Sequence, residues 1–237
     1  MKLSRLPTLS ADAVSRIVRR TPETTADKIV EACGGSGWDL YRPAHQGSRV
    51  VYATRSPPTS ITRGWPNTAS YRACASVVSE VAKVASARGV MCHDLPGRLF
   101  SIRPDLAIGL PRSFYFVAGG HAHVFDLQPR KSNVPSVAQL SLRASIFLEA
   151  VRPHPDLGAA DIELVECSPA LVAGPHVGEL YKRHKLDLKR GNDLVAALQV
   201  YADAWDLLRK TRSDFVDRVL NRQREKTQKP DAQLYLF

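Results

Sequence analysis

SFYFVAGGHAHVFDLQ occupies residues 113–128, and its punctuation sets the architecture. Two runs rich in aromatic and β-branched residues flank Gly119-Gly120, a pair suited to a two-residue hairpin turn, so two antiparallel strands are expected. Upstream, RLFSIRPDLAIGL (98–110) reads as a further strand, closed by Pro111. Downstream, VPSVAQLSLRASIFLEAVR (134–152) places Val137, Leu140, Ala144, Phe147 and Leu148 on one helical face. DIELVECS (161–168) then alternates as a buried strand, and TASYRACASVVSEVAKVASARG (68–89) precedes the meander as a helix. Helix, three strands, helix, strand is the order of an α/β fold with a mixed central sheet flanked by helices.

Further out the signals are shorter. SADAVSRIVRRTPETTADKIVEACGG (10–35) reads as two short helices, GSRVVYATRS (47–56) as a strand, and SPPTSITRGWPNT (56–68) as a loop. One long helix is expected from about Asn192 through Gln223. The expected organisation is a helical and strand lobe over 1–66, a core with its long C-terminal helix over 67–222, and a polar tail over 223–237.

Hydrophobic residues at 44% and charged residues at 24% argue against global disorder. Cys33, Cys74, Cys92 and Cys167 are spaced too widely for paired zinc knuckles. No signal-like apolar run follows MKLSRLP, and no stretch of about 18 apolar residues occurs, so a cytoplasmic protein with no membrane partner is expected. The 33 Lys and Arg outnumber the 23 Asp and Glu, leaving a formal charge of +10 that favours an anionic partner such as DNA.

Pro104-Asp105 in RPDLAIG, Asp126-Leu127-Gln128 in HVFDLQPRK and Glu80 in the preceding helix make roughly residues 70–170 resemble the PD-(D/E)XK nucleases. This is the restriction-endonuclease-like superfamily, and Gln139-Leu140 opening the next helix is similar to its RecB-like members. The resemblance implies a restriction-endonuclease-like core and Mg²⁺ or Mn²⁺ held by Asp105, Asp126 and the carbonyl of Leu127. It further implies that Glu80 joins or orients the metal shell. Carboxylates at neighbouring strand ends suit a hard cation, which polarises a phosphodiester and acidifies bound water. Gln128 stands where the family carries a lysine, so an amide replaces a positive charge, with Lys131 or Arg130 placed to reach back.

YKRHKLDLKRG (181–191) concentrates Lys182, Arg183, Lys185, Lys189 and Arg190, and Arg209 and Arg212 extend the charge along the last helix. Such a surface contacts phosphates without reading sequence. The chain ends in Gln233-Leu234-Tyr235-Leu236-Phe237, similar to the pentapeptide by which bacterial replication and repair proteins dock on the sliding clamp. In that likeness Gln233 bonds at the rim, and Leu234, Leu236 and Phe237 fill an apolar groove. The expected function is a metal-dependent DNA nuclease tethered to the clamp. The alternative is a catalytically inactive nuclease-fold protein that binds DNA or the clamp as an accessory factor.

Overall fold

A computed structural model describes residues 6–34, 41–95, 99–111, 113–129, 134–168 and 176–228. Its centre is the hairpin of β5 (Phe114–Ala118) and β6 (His121–Gln128), with Ala118 opposite His121 across the turn. Gly119 and Gly120 both take positive φ, 58° and 79°, which glycine adopts without a Cβ clash. β2 (Cys92–Asp94) pairs antiparallel with β5, β7 (Asp161–Glu166) lies parallel to β6, and β8 (Glu179–Lys182) runs antiparallel on β7. The mixed five-stranded sheet therefore runs β2-β5-β6-β7-β8.

The parallel step from β6 to β7 is made by α6 (Val137–Val151). Ser136 and Gln139 form a reciprocal capping box at its start: the Gln139 N–H donates to Ser136 Oγ (3.3 Å), and the Ser136 N–H donates to Gln139 Oε1 (2.9 Å). The Gln139 that strengthened the family likeness is thus a helix cap.

Helices cover both faces of this sheet. On one side Val124, Ile162 and Leu164 pack with α6, α1 (Ala11–Ile17), α2 (Pro22–Gly34) and the buried Tyr201, Trp205 and Leu208 of α7 (Gly191–Thr211). On the other, Phe114, Phe116, Phe125 and Val165 pack with Val51 and Tyr52 of α3 (Arg42–Ala53) and Val77, Val78 and Val81 of α5 (Ala69–Val84). The buried end of β6, from Val124 to Gln128, is apolar on both faces except where Asp126 and Gln128 face the α6 side.

Four expectations need correction. The loop expected over 56–68 holds a one-turn helix, α4 (Pro58–Ile61), whose prolines suit a helix start. Residues 47–56 do not form a strand, because the expected window opened in the middle of α3. From Ala44 the buried positions Ala44, Gly47, Ser48, Val51 and Tyr52 follow helical spacing. RLFSIRPDLAIGL is not one strand of the central sheet. It folds at Pro104-Asp105 into β3 (Leu99–Arg103) and β4 (Leu106–Gly109), which join β1 (Leu9–Ser10) in a separate sheet ordered β1-β4-β3. The outer strand of the meander is the shorter β2. Finally, the long last helix breaks at Arg212 into α7 and α8 (Ser213–Gln228), where Ser213-Asp214 is itself a helix-start signal.

Gly47 lets α3 and α5 approach closely, since a Cβ there would lie 2.6 Å from Val78 Cγ2. Gly47→Ala should destabilise the chain by about 1–3 kcal/mol through overpacking, read from urea unfolding. Unchanged stability would mean that the two helices separate freely.

Candidate functional site

The side chains expected to share a metal have separate partners. Asp105 occupies the turn between β3 and β4, outside the five-stranded sheet. It is nearly buried, with Arg103 Nε 2.8 Å from Oδ1 and Arg209 Nη2 donating to Oδ2 at 2.8 Å. Arg103 also forks onto Asp206 of α7 and holds that carboxyl below its ordinary range. Pro104-Asp105 therefore ties the hairpin to α7.

Glu80 of α5 accepts the Gly178 N–H on Oε2 (3.1 Å) and holds Lys83 Nζ at 2.5 Å from Oε1. It anchors the approach to β8, where the backbone comes so close that a Cβ on Gly178 would lie 3.0 Å from Glu80 Cβ.

Asp126 is fully buried, and its partner is Arg143 of α6. Arg143 Nη2 donates to Asp126 Oδ1 (2.7 Å) and to the Leu127 carbonyl (2.9 Å), while Nε sits 2.5 Å from Oδ2, off the hydrogen-bond direction. Nη1 donates to Gln128 Oε1 (2.9 Å) and to Oδ1 of Asp12 in α1 (3.0 Å). The Leu127 N–H adds a donor to Asp126 Oδ1 (2.9 Å), and Arg16 pairs with the far oxygen of Asp12 (2.6 Å). Two carboxylates thus face two guanidinium groups. Burial pushes the Asp126 carboxyl up, against the pull of Arg143.

These residues do not fit the expected Mg²⁺ or Mn²⁺. Such ions need oxygens about 2.0–2.2 Å away around one centre. Here the oxygens of Asp126, Leu127 and Gln128 surround a planar cation already in place. Among the described residues no group of three or more His, Cys, Asp or Glu side chains could hold a metal ion. Lys131 and Arg130, expected to compensate for Gln128, lie outside the described residues, as do Gln233, Leu234, Tyr235, Leu236 and Phe237.

No family model, curated protein or solved structure matches the chain. The site is therefore read from its own side chains.

The basic segment is spread over β8, the 3₁₀ turn Arg183–Lys185 and the lead into α7. Its backbone is pinned to α6: Ser141 Oγ accepts the Asp187 N–H (3.0 Å) and Ser145 Oγ accepts the Lys189 N–H (2.8 Å). Lys182 lies 3.7 Å from Glu163, Arg183 3.2 Å from Asp161, and Lys185 3.9 Å from Glu179. Lys189 and Arg190 are exposed on this fixed backbone. Farther along, Arg209 is committed to Asp105, and Arg212 lies 3.8 Å from Asp27.

Sequence reasoning missed Arg143, Asp12, Glu163, Ser141 and Ser145 as determinants of this region. Glu163 is fully buried on β7, accepting from Tyr52 Oη (2.9 Å) and Ser86 Oγ, and burial beside this carboxylate drives the Tyr52 phenol far up. A charged residue inside an apolar run, such as Arg143 in LSLRASIFL, was the available signal.

Glu166 ends β7 opposite Gln128 on one side and Glu179 on the other. Burial first, and the Glu179 carboxylate after it, raise the Glu166 carboxyl above its ordinary range, against the Ser168 N–H that it accepts at 2.6 Å. A raised folded value means that the native state retains a proton the unfolded chain has lost. This contribution to stability is full below the unfolded value and is lost as pH rises through the folded one. Glu166→Gln should therefore flatten the fall in urea midpoint between pH 4 and pH 8. An unchanged slope would show that Glu166 titrates normally.

Proposed function

We propose that this chain is a DNA-binding protein of nuclease-like architecture that acts by occupying DNA rather than by cleaving it through Asp126. The observation that carries this reading is the Arg143 guanidinium on Asp126, the Leu127 carbonyl and Gln128. Both oxygens of this carboxylate lie within 2.7 Å of one internal guanidinium, which occupies the place a Mg²⁺ would take. DNA as partner is supported by the net charge of +10 and by the exposed Lys189 and Arg190 on their anchored backbone.

A cleaving enzyme is the second reading. It is favoured by the central layer, where, apart from β3 and β4 inserted after β2, the order is α5, β2, β5, β6, α6, β7: a helix, an antiparallel meander, a crossover helix and a parallel strand, as the likeness to PD-(D/E)XK nucleases implies. The sliding-clamp contact through Gln233, Leu234, Leu236 and Phe237 rests on the pentapeptide alone.

Fluorescence anisotropy of labelled duplex and single-stranded DNA, titrated from 50 to 300 mM salt in EDTA, tests the proposal. Binding that weakens linearly on a log–log plot, with little preference among sequences, is expected. Absence of binding at 50 mM salt would remove DNA as the partner.

A further inference from the structure

We propose that Arg143 is the resident cation of a buried oxygen cage, selective for planar guanidinium over a divalent metal, and that this cation fastens α1 to the central sheet. The inference deepens the occupancy reading, from which it takes the contrast with a metal; the cage itself rests on its geometry.

Five oxygens converge on one side chain from two parts of the chain. Asp126 supplies Oδ1 and Oδ2, Leu127 its carbonyl and Gln128 its Oε1, all from β6, and Asp12 supplies Oδ1 from α1. The contacts of 2.5–3.0 Å are made to nitrogens at the rim of the guanidinium and not to its centre. A metal at that centre would meet oxygens well beyond the short bonds that Mg²⁺ requires. Nη2 bonds one oxygen of Asp126 while Nε lies 2.5 Å from the other, so the edge of the guanidinium faces the carboxylate, an arrangement that a point charge cannot reproduce.

The second part of the inference follows from Asp12. It is the one cage member from outside β6, and its other oxygen holds Arg16 of the same helix. Both carboxylates are buried or nearly so. Without Arg143, the Asp12 and Asp126 carboxylates would lose the cation that joins them, and α1 would lose this polar tie to the sheet. Ser15 and the apolar residues of α1 would still pack on α6, so the expected change is a loosened helix within a folded protein.

The test replaces Arg143 with Ala in the full chain and supplies the missing cation from solution. Guanidinium chloride and methylguanidinium chloride at 5–50 mM are compared with NaCl, MgCl₂ and MnCl₂ at matched ionic strength, by thermal unfolding and by hydrogen exchange over α1. Guanidinium is expected to raise Tm by about 2–4 °C at about five times its dissociation constant and to restore protection of α1. Wild type and an Arg143→Ala, Asp126→Asn double variant should show no such rise. Equal or greater stabilisation by Mn²⁺ or Mg²⁺, or none by guanidinium, would overturn the proposal. Should Arg143→Ala fail to fold, the wild-type protein still decides through Mn²⁺ electron paramagnetic resonance. No Asp126-dependent binding is expected, and binding lost in Asp126→Asn would overturn the assignment. Neither arm involves DNA, so a chain without DNA affinity would leave this result standing.

Discussion

Asp126→Ala is expected to lower the free energy of unfolding by about 3–5 kcal/mol, the cost of leaving a buried guanidinium without its carboxylate. The variant removes both oxygens that Arg143 meets side-on and the acceptor of the Leu127 N–H, at a position with no solvent access. Asp12 remains on Nη1, but its charge is shared with Arg16. The magnitude separates two accounts of the same residue. An aspartate held ready for a metal destabilises its metal-free protein by its own desolvation, so its removal costs little or helps. An aspartate neutralised by an internal cation costs several kcal/mol to remove. Urea unfolding in EDTA reads the difference, and a loss below about 1 kcal/mol would contradict the ion-pair account.

Replacing Lys185, Lys189 and Arg190 together by Ala is expected to weaken DNA binding on the order of 100-fold near 0.15 M salt. Each phosphate contact contributes about 0.9 to the slope of log affinity against log salt, so three lost contacts reduce the slope by roughly 3. The fold should be indifferent. Lys189 and Arg190 are exposed, Lys185 has a 3.9 Å pair with Glu179 and lies 5.9 Å over the centre of the Tyr181 ring at the surface, and the bond from the Lys189 N–H to Ser145 does not depend on a side chain at 189. Exposed substitutions of this kind change stability by about 0.5 kcal/mol or less. Anisotropy titrations at several salt concentrations measure both affinity and slope. An unchanged slope would place the DNA-contacting surface elsewhere.

The arrangement of the centre was legible because its signals are local and redundant. The hairpin has a glycine pair and two aromatic-rich runs, α6 has a cap and a periodic face, and β7 alternates between them. The failures also have local causes. Val50, Val51 and Tyr52 carry high strand propensity, yet burial at helical spacing from Ala44 onward overrode it in α3. Pro104-Asp105 is as good a turn as it is a motif, and the chain uses it as a turn.

The site was harder to read for a different reason. Asp126 was read from the sequence as a metal ligand at a strand end, but its chemistry depends on what faces it. That partner lies 17 residues away on α6, and Asp12 reaches the same guanidinium from 131 residues away. Sequence spacing carries no record of such a meeting. Beside the charge of Arg143 in an apolar run, Gln128 was a further hint: a neutral amide next to Asp126 suits a cage already supplied with a cation, and its Oε1 accepts from Arg143.

The most direct test of the central claim is the integrity of DNA recovered after incubation with the wild-type protein in Mg²⁺, in Mn²⁺ and in EDTA. Plasmid, linear, single-stranded and branched substrates should each be tried at protein concentrations that saturate binding. The account predicts DNA that is bound in all three buffers and recovered uncut. Metal-dependent cutting that disappears in Asp126→Asn would contradict it and return Asp126 to the role of a catalytic ligand.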